Sequence, residues 1–188
     1  TYNHYDGTVA QKSLTITATG PTKTYGTALT AGTSTTNFTH SGEISGQDVT
    51  GVTLTPDAAG LSATTAAGAG YVVTPSAATG TGGFTASNYD ITYNHYDGTV
   101  AQKSLTITAS AQSKTYGTAL SLGTTAFTTS GLVNSDTVTG VTLSSSGAAA
   151  TATVAGSPYT ITPSVAVGSG LGNYTISYSA GALTVNPK

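Results

Sequence analysis

Short segments in which apolar and polar residues alternate recur along the chain. In Ser13–Ala18, Leu14 and Ile16 alternate with threonines, and Ser104–Ala109 repeats the same letters. A period of two with β-branched residues on the polar side predicts a half-buried β-strand. Gly, Asn and Asp separate these segments, and no 12-residue window has the 3.6-residue apolar spacing of a helix. The pattern therefore predicts an all-β protein.

The chain contains an internal repeat. The sequence TYNHYDGTVAQKSLTITA fills residues 1–18 and returns without change at residues 92–109. The shorter sequence KTYGTAL follows each copy, at 23–29 and at 114–120. Identity over this length indicates a tandem array of similar units, which has to be identified before a fold is assigned.

The repeat divides the chain into three parts. Residues 1–11 are predicted to be the terminal strand of a truncated upstream repeat, and residues 1–9 are expected to lack a partner strand. Repeat unit 1 then covers residues 12–101, and repeat unit 2 covers residues 102–188. About three residues join one unit to the first strand of the next. So short a linker predicts two units that lie end to end.

Regular short strands with turn residues between them are typical of a β-sandwich. We predict two tandem small Ig-like β-sandwich repeats, with a β-grasp-like unit as the alternative. In unit 1, Tyr89–Tyr93 is predicted to form a hairpin with a strand that begins at Thr99. The sequence Asp97-Gly98 lies between them and is suited to the positive φ of a tight turn.

The alternation also predicts which side chains fill the core, because one side of each strand faces inward. Their burial should supply most of the favourable free energy of folding. The predicted core residues are Leu14, Ile16, Val52, Leu54, Tyr71, Val73, Tyr89 and Ile91 in unit 1, and Leu105, Ile107, Val141, Leu143, Tyr159, Ile161, Tyr174 and Ile176 in unit 2.

The composition narrows the functional classes. Only 6% of residues are charged, against about 25% in typical domains, and the net charge is −2. Without basic clusters, binding to nucleic acid or to an anionic membrane is not expected. No apolar run reaches the length needed for membrane insertion. There is no cysteine, which excludes a disulfide scaffold.

Four segments of unit 2 together resemble a known repeat. They are KTYGTAL at 114–120, GLVNSDTV at 131–138, YTITPS at 159–164 and NYTISYSAGALTVNP at 173–187. Their order and spacing resemble the MBG repeat of the YGX type, which occurs in large bacterial surface and secreted adhesins, including proteins similar to filamentous haemagglutinin. Unit 1 departs from this pattern in the middle, and its HYDG sequence resembles the related YDG repeats. The resemblance implies an extracellular adhesin repeat and carries over no catalytic residue.

The candidate residues for chemistry are few. The only imidazoles are those of His4, His40 and His95. His4 and His95 occupy the same position of different repeats, so they are interpreted as exposed turn residues. A metal or catalytic site would need further ligands at fixed spacing, and the sequence pattern does not supply them. We therefore predict no catalytic, cofactor-binding or metal-binding residues and no cofactor.

The acidic residues could in principle bind calcium or promote a covalent crosslink. Calcium takes six to eight oxygen ligands, whereas Asp6-Gly7 and Asp97-Gly98 are isolated, so both are interpreted as turn residues. Covalent Lys–Asn crosslinks need a nearby acid, commonly Glu. Unit 2 has no Glu, whereas unit 1 combines Glu43 and Lys23 with Asn37 or Asn88. This composition is compatible with a crosslink but does not favour one.

The tyrosines fall into two sets. Tyr89 and Tyr93 in unit 1, like Tyr174 and Tyr178 in unit 2, share strand faces with isoleucines and are predicted to be core residues. Tyr5 and Tyr96 are predicted at exposed hairpin tips. There an aromatic ring can contact a neighbouring repeat or stack on a sugar, and the repeat contact is favoured.

These observations predict structural stalk repeats of an extracellular bacterial adhesin or surface fibre, which extend a binding region from the cell. The alternative is an adhesive module that binds glycans or another surface through loops and hairpin tips. The chain is not expected to be an enzyme. Its expected partners are neighbouring repeats of the same polypeptide, other chains of a fibre, and a glycan or surface ligand. The expected location is the bacterial cell surface or the medium.

Overall fold

The computed structural model describes residues 7–188, which fold into two compact units. The first comprises the described residues up to Lys23, then Thr27–Thr65 and Ala69–Val100. The second comprises Thr24–Gly26, Ala66–Gly68 and Ala101–Lys188. The predicted terminal strand at 1–11 lies partly outside the described residues. Its described part, residues 7–11, forms no strand.

The first unit contains two sheets. Its elements are β1 (Lys12–Ala18), β2 (Gly32–Ser34), β3 (Phe38–Ser41), β4 (Asp48–Pro56), α1 (Ala58–Leu61), β5 (Gly70–Thr81), β6 (Tyr89–Asn94) and β7 (Tyr96–Thr99). One sheet has the strand order β3-β1-β6, and the other has the order β2-β4-β5-β7. Strand β1 is antiparallel to β3 and parallel to β6.

The second unit repeats this plan. Its strands are β8 (Lys103–Ala109), β9 (Gln112–Thr115), β10 (Phe127–Ser130), β11 (Thr137–Ser144), β12 (Tyr159–Ser169), β13 (Tyr174–Ser179) and β14 (Gly181–Asn186). The sheet orders are β10-β8-β13 and β11-β12-β14-β9. Strand β14 is antiparallel to β12 and parallel to β9. Strand β9 begins at Gln112, and the residue at the corresponding position of the first repeat is Pro21. Proline has no N–H, so it cannot donate a hydrogen bond to a neighbouring strand.

Apolar side chains from both sheets form the core of each unit. In the second unit, Ala109, Ile161 and Leu183 form a buried cluster from three different strands. All sixteen predicted core residues are at least half-buried, and twelve are buried. The half-buried exceptions are Ile91, Leu143, Tyr159 and Ile176. Ile91 and Ile176 lie on β6 and β13, which are the edge strands of their sheets, so one flank stays open to water.

The predicted hairpin in unit 1 is wrong. Strand β6 pairs with β1, whereas β7 crosses to the other sheet and pairs antiparallel with β5. Asp97 and Gly98 lie inside β7 rather than in a turn, and Gly98 has no positive φ. Glycine is needed there for space, since an added Cβ would lie 2.2 Å from Cζ of Tyr71.

The all-β class is confirmed. The α-helix in the described residues has four residues, and the Asp57 carboxylate caps it by accepting the N–H of Gly60 at 2.7 Å. None of the helices within residues 7–188 has the length and apolar character needed to cross a bilayer. The remaining helical segments are single 3₁₀ turns of three residues each.

Candidate functional site

The histidines have different surroundings. His4 lies outside the described residues. His95 is exposed, and its Nε2 lies 3.4 Å from a carboxylate oxygen of Asp97, which is also exposed. His40 lies on β3 and is half-buried. Its surroundings make it the candidate for chemistry in the first unit.

Two carboxylates converge on the His40 ring. Nδ1 of His40 forms a short hydrogen bond with Oε1 of Glu43, and Nε2 lies 3.6 Å from Oδ1 of Asp48. One donor atom from each of the three residues can be chosen so that all lie within 4.8 Å of one another. The side chain of Glu43 is 13% exposed, that of His40 is 27% exposed and that of Asp48 is 60% exposed. The cluster therefore opens to solvent on the Asp48 side.

The loop between β3 and β4 places Glu43 beside His40. It turns at Gly42 and Gly46, both of which have positive φ. An added Cβ at Gly42 would lie 2.5 Å from the carbonyl oxygen of Ser13, so only glycine fits against β1. The loop also closes on itself, because the N–H of Gln47 donates to the carbonyl of Ile44 at 2.9 Å.

A buried tyrosine anchors the same loop. The hydroxyl of Tyr89 accepts the N–H of Ile44 at 3.1 Å and donates to Oε1 of Gln47 at 2.5 Å. Its ring stacks on Phe84 with centroids 5.2 Å apart. The prediction that Tyr89 belongs to the core is confirmed, and its hydroxyl holds the loop that carries Glu43.

The second unit lacks this cluster although it has the same loop. The residues at the corresponding positions are Thr129, Leu132 and Thr137. The anchoring tyrosine is retained as Tyr174, whose hydroxyl donates to Asp136 at 2.7 Å, where the first unit has Gln47. The loop scaffold is therefore common to both units, and the three titratable side chains are particular to the first.

Sequence reasoning treated His40 and Glu43 separately. It considered Glu43 as part of a crosslink and His40 as a lone imidazole, and it did not consider Asp48 as a partner. The useful signal was local: His40 lies near the end of β3, Glu43 follows three residues later between Gly42 and Gly46, and Asp48 begins β4. So short a connection between the two sheets keeps these three positions close together.

The Lys23 ammonium binds backbone carbonyls, whereas a Lys–Asn crosslink would need it beside an asparagine and an acid. The side chain is buried, and Nζ donates to the carbonyls of Ala59, Gly60 and Ser62 around the end of α1. Burial lowers the pKa of Lys23, and the nearby Asp57 carboxylate partly opposes this effect. Three N–H groups of one ammonium thus satisfy three carbonyls, so Lys23 is engaged in holding the backbone.

Two tyrosines differ from their predicted exposure. Tyr5 lies outside the described residues. Tyr96 is half-buried, with its ring edge-to-face against Tyr71 at a centroid distance of 6.2 Å, so the prediction of an exposed tip is wrong. Tyr178 is 41% exposed, although its hydroxyl accepts the N–H of Ala166 at 2.9 Å. Its predicted place in the core is therefore also wrong.

Most of the second unit matches a known domain family. Residues 105–184 match the MBG domain of the YGX type. The MBG match begins within β8 and ends within β14, and it agrees with the resemblance inferred from the four segments of unit 2. Searches of curated proteins and of solved structures found no match.

Proposed function

We propose that the two units are stalk repeats of an extracellular bacterial surface protein and carry load between the cell and a binding region. MBG domains are found in bacterial surface proteins, which supports this location. The tandem repetition of one folded plan supports a role in which length is the useful property. The proposal assigns the chain no catalytic function.

The pairing of the strands near the ends of the second unit carries the proposal. The last strand, β14, runs parallel to β9, with Leu183 opposite Gln112 and Asn186 opposite Thr115. The first strand, β8, runs parallel to β13. When a chain is pulled from both ends, parallel neighbours of this kind slide along each other, and their hydrogen bonds are loaded together. An antiparallel hairpin would instead open one bond at a time.

The first unit has the same mechanical element at its start. Strand β1 runs parallel to β6 over six residue pairs, from Lys12 opposite Tyr89 to Thr17 opposite Asn94. Asn94 adds a side-chain hydrogen bond to Thr17 at 3.2 Å. We therefore propose that both repeats resist extension, with neighbouring repeats and other chains of a fibre as their partners.

Single-molecule force spectroscopy of the two-unit chain tests this function. We expect two unfolding events, and Gln112→Pro should lower the force of one because it places the proline of the first repeat in β9. The matched control is Val141→Ala on β11, which pairs with β12 and lies outside the parallel pairs. Equal loss of force in both variants, after matching for equilibrium stability, would contradict the proposal. Binding of the unmodified chain on a glycan array would favour the adhesive alternative.

A further inference from the structure

We propose that His40, Glu43 and Asp48 form a binding site for a divalent transition-metal ion, with Zn²⁺ as the probe. The imidazole Nε2 of His40 and a carboxylate oxygen of Asp48 are ligand types that zinc accepts, at distances of roughly 2.0–2.2 Å. Glu43 belongs to the same cluster, since one donor atom of each residue lies within 4.8 Å of the others, and its carboxylate binds the remaining ring nitrogen of His40. The exposed side of Asp48 leaves access for the ion and for the waters that complete its coordination.

The spacing of His40 and Asp48 fits an ion better than a direct contact. Nε2 of His40 and Oδ1 of Asp48 are 3.6 Å apart, which is too long for a good hydrogen bond. Two ligands on one tetrahedral zinc ion, each about 2.0–2.1 Å from the metal, lie at about this separation. Glu43 binds the other ring nitrogen, which is where metal-binding histidines usually have a carboxylate partner.

The backbone that carries the ligands is already fixed. Glu43 lies on the loop that Gly42 and Tyr89 hold in place, and Asp48 and His40 lie on strands. A site on such a scaffold loses little conformational entropy when an ion binds. The ligand set also selects the metal class, because calcium needs six to eight oxygens, whereas this cluster offers an imidazole nitrogen and one free carboxylate.

Isothermal titration calorimetry of the untagged chain with zinc chloride tests the site. His4 and His95 are first replaced by alanine, which leaves His40 as the only imidazole. This variant should still bind one zinc ion, and adding His40→Ala should abolish the binding. Asp48→Asn, at an exposed position, should weaken binding without affecting the fold. Glu43→Gln should weaken it by about 10–100-fold, as the loss of a histidine's carboxylate partner does.

The second unit provides a matched gain-of-function experiment. Thr129→His, Leu132→Glu and Thr137→Asp together place the same side chains on its corresponding loop. This variant should bind two zinc ions where the unmodified chain binds one. Amide exchange in EDTA checks that each variant is folded, and zinc should increase protection of the 42–47 loop in the unmodified chain.

Two results would overturn the proposal. One is the absence of zinc binding in the variant that retains only His40. The other is zinc binding that is unchanged by both His40→Ala and Asp48→Asn. In either case the three side chains would form only a polar cluster without a bound ion. A calcium titration distinguishes the metal class, because calcium binding without zinc binding would likewise contradict a site built on His40.

Discussion

The two units solve the same packing problem with different residues. In the first, Tyr71 is 2% exposed and lies opposite Gly98 on the neighbouring strand. In the second, the corresponding Tyr159 is half-buried and lies opposite Leu183, which is fully buried. In the first unit the tyrosine ring fills the space beside glycine, whereas in the second unit the leucine side chain fills it and the tyrosine ring lies further out. The comparison shows that the glycine of HYDG serves core packing.

Two glycines make room for the half-buried ring of Tyr159. It lies over Gly147 and Gly156, where an added Cβ would approach the tyrosine to 2.6 Å and 2.3 Å. Its hydroxyl accepts the N–H of Thr153 at 3.0 Å. The loop before β12 and the residue opposite Tyr159 therefore both differ from their counterparts in the first unit.

The lysine of the KTYG sequence is used in nearly the same way in both units. Lys23 donates to three carbonyls, whereas Lys114 donates to those of Thr118 and Ala149. Both side chains are buried. The shared KTYG segment thus has a shared structural role. The segments that differ, such as the one that contains Gly98, lie where the packing of the two units differs.

The largest expected effect is that of Lys23→Met. This change keeps an apolar stem but removes the ammonium that donates to the carbonyls of Ala59, Gly60 and Ser62. Hydrogen bonds to a charged group are worth about 1.5–3 kcal/mol each. The second unit should be unaffected. Hydrogen exchange of the full chain, measured separately in β5 and β12, checks this expectation. Lys114→Met is the comparison and should cost its own unit less, so equal losses would contradict the difference.

Leu183→Ala should follow in size. It opens a cavity beside Ile161 and should lower the free energy of unfolding of the second unit by about 2–5 kcal/mol. Chemical denaturation with exchange measured in β12 gives the value. Leu132→Ala, on the half-buried loop, is the control and should cost much less. A loss below about 1 kcal/mol would mean that Tyr159 moves inward to refill the space.

Gly98→Leu places the residue of the second unit in the first. Because Cζ of Tyr71 lies within 2.2 Å of an added Cβ, the change should destabilise the first unit by about 1–3 kcal/mol or more. The same measurement in β5 tests it. Thr99→Leu, at an exposed neighbouring position, provides the control. A neutral result would show that the Tyr71 ring leaves its place at little cost.

Tyr71→Phe should have the smallest effect. It removes the hydrogen bond from the Tyr71 hydroxyl to the carbonyl of Pro21, worth about 0.5–1.5 kcal/mol at neutral pH. Burial, and secondarily Tyr96, raises the pKa of Tyr71 above its ordinary value. Above pH of about 10 the unfolded tyrosine ionises while the folded one stays neutral, so stability falls as pH rises.

The Tyr71→Phe variant has no hydroxyl to ionise, so it lacks the loss of stability that Tyr71 causes at alkaline pH. Its free energy of unfolding in the first unit should fall less between neutral pH and the alkaline range than that of the unmodified chain. Hydrogen exchange is too fast at such pH, so the measurement is urea denaturation monitored by circular dichroism. Parallel curves for the two proteins would contradict a raised pKa for Tyr71. Tyr116→Phe, at an exposed position, is the control.

Alternation was enough to predict most strands and their inward faces. Leu14 and Ile16, like Leu105 and Ile107, are buried as expected, because a period of two leaves one consistent side for each strand. The internal repeat likewise predicted that two units would share one plan. What alternation could not supply was the partner of each strand, so β6 and β7 were wrongly joined in a hairpin.

The sequence by itself determined the class, the repeat and the residues that fill the core, since each follows from local periodicity or identity. Only the tertiary structure decided that Gly98 makes room for Tyr71 and that Lys23 closes the end of α1. It also brought His40 next to Glu43 and Asp48. These relations join residues from different strands and loops, and their geometry depends on which strands pair and how the loops turn between them.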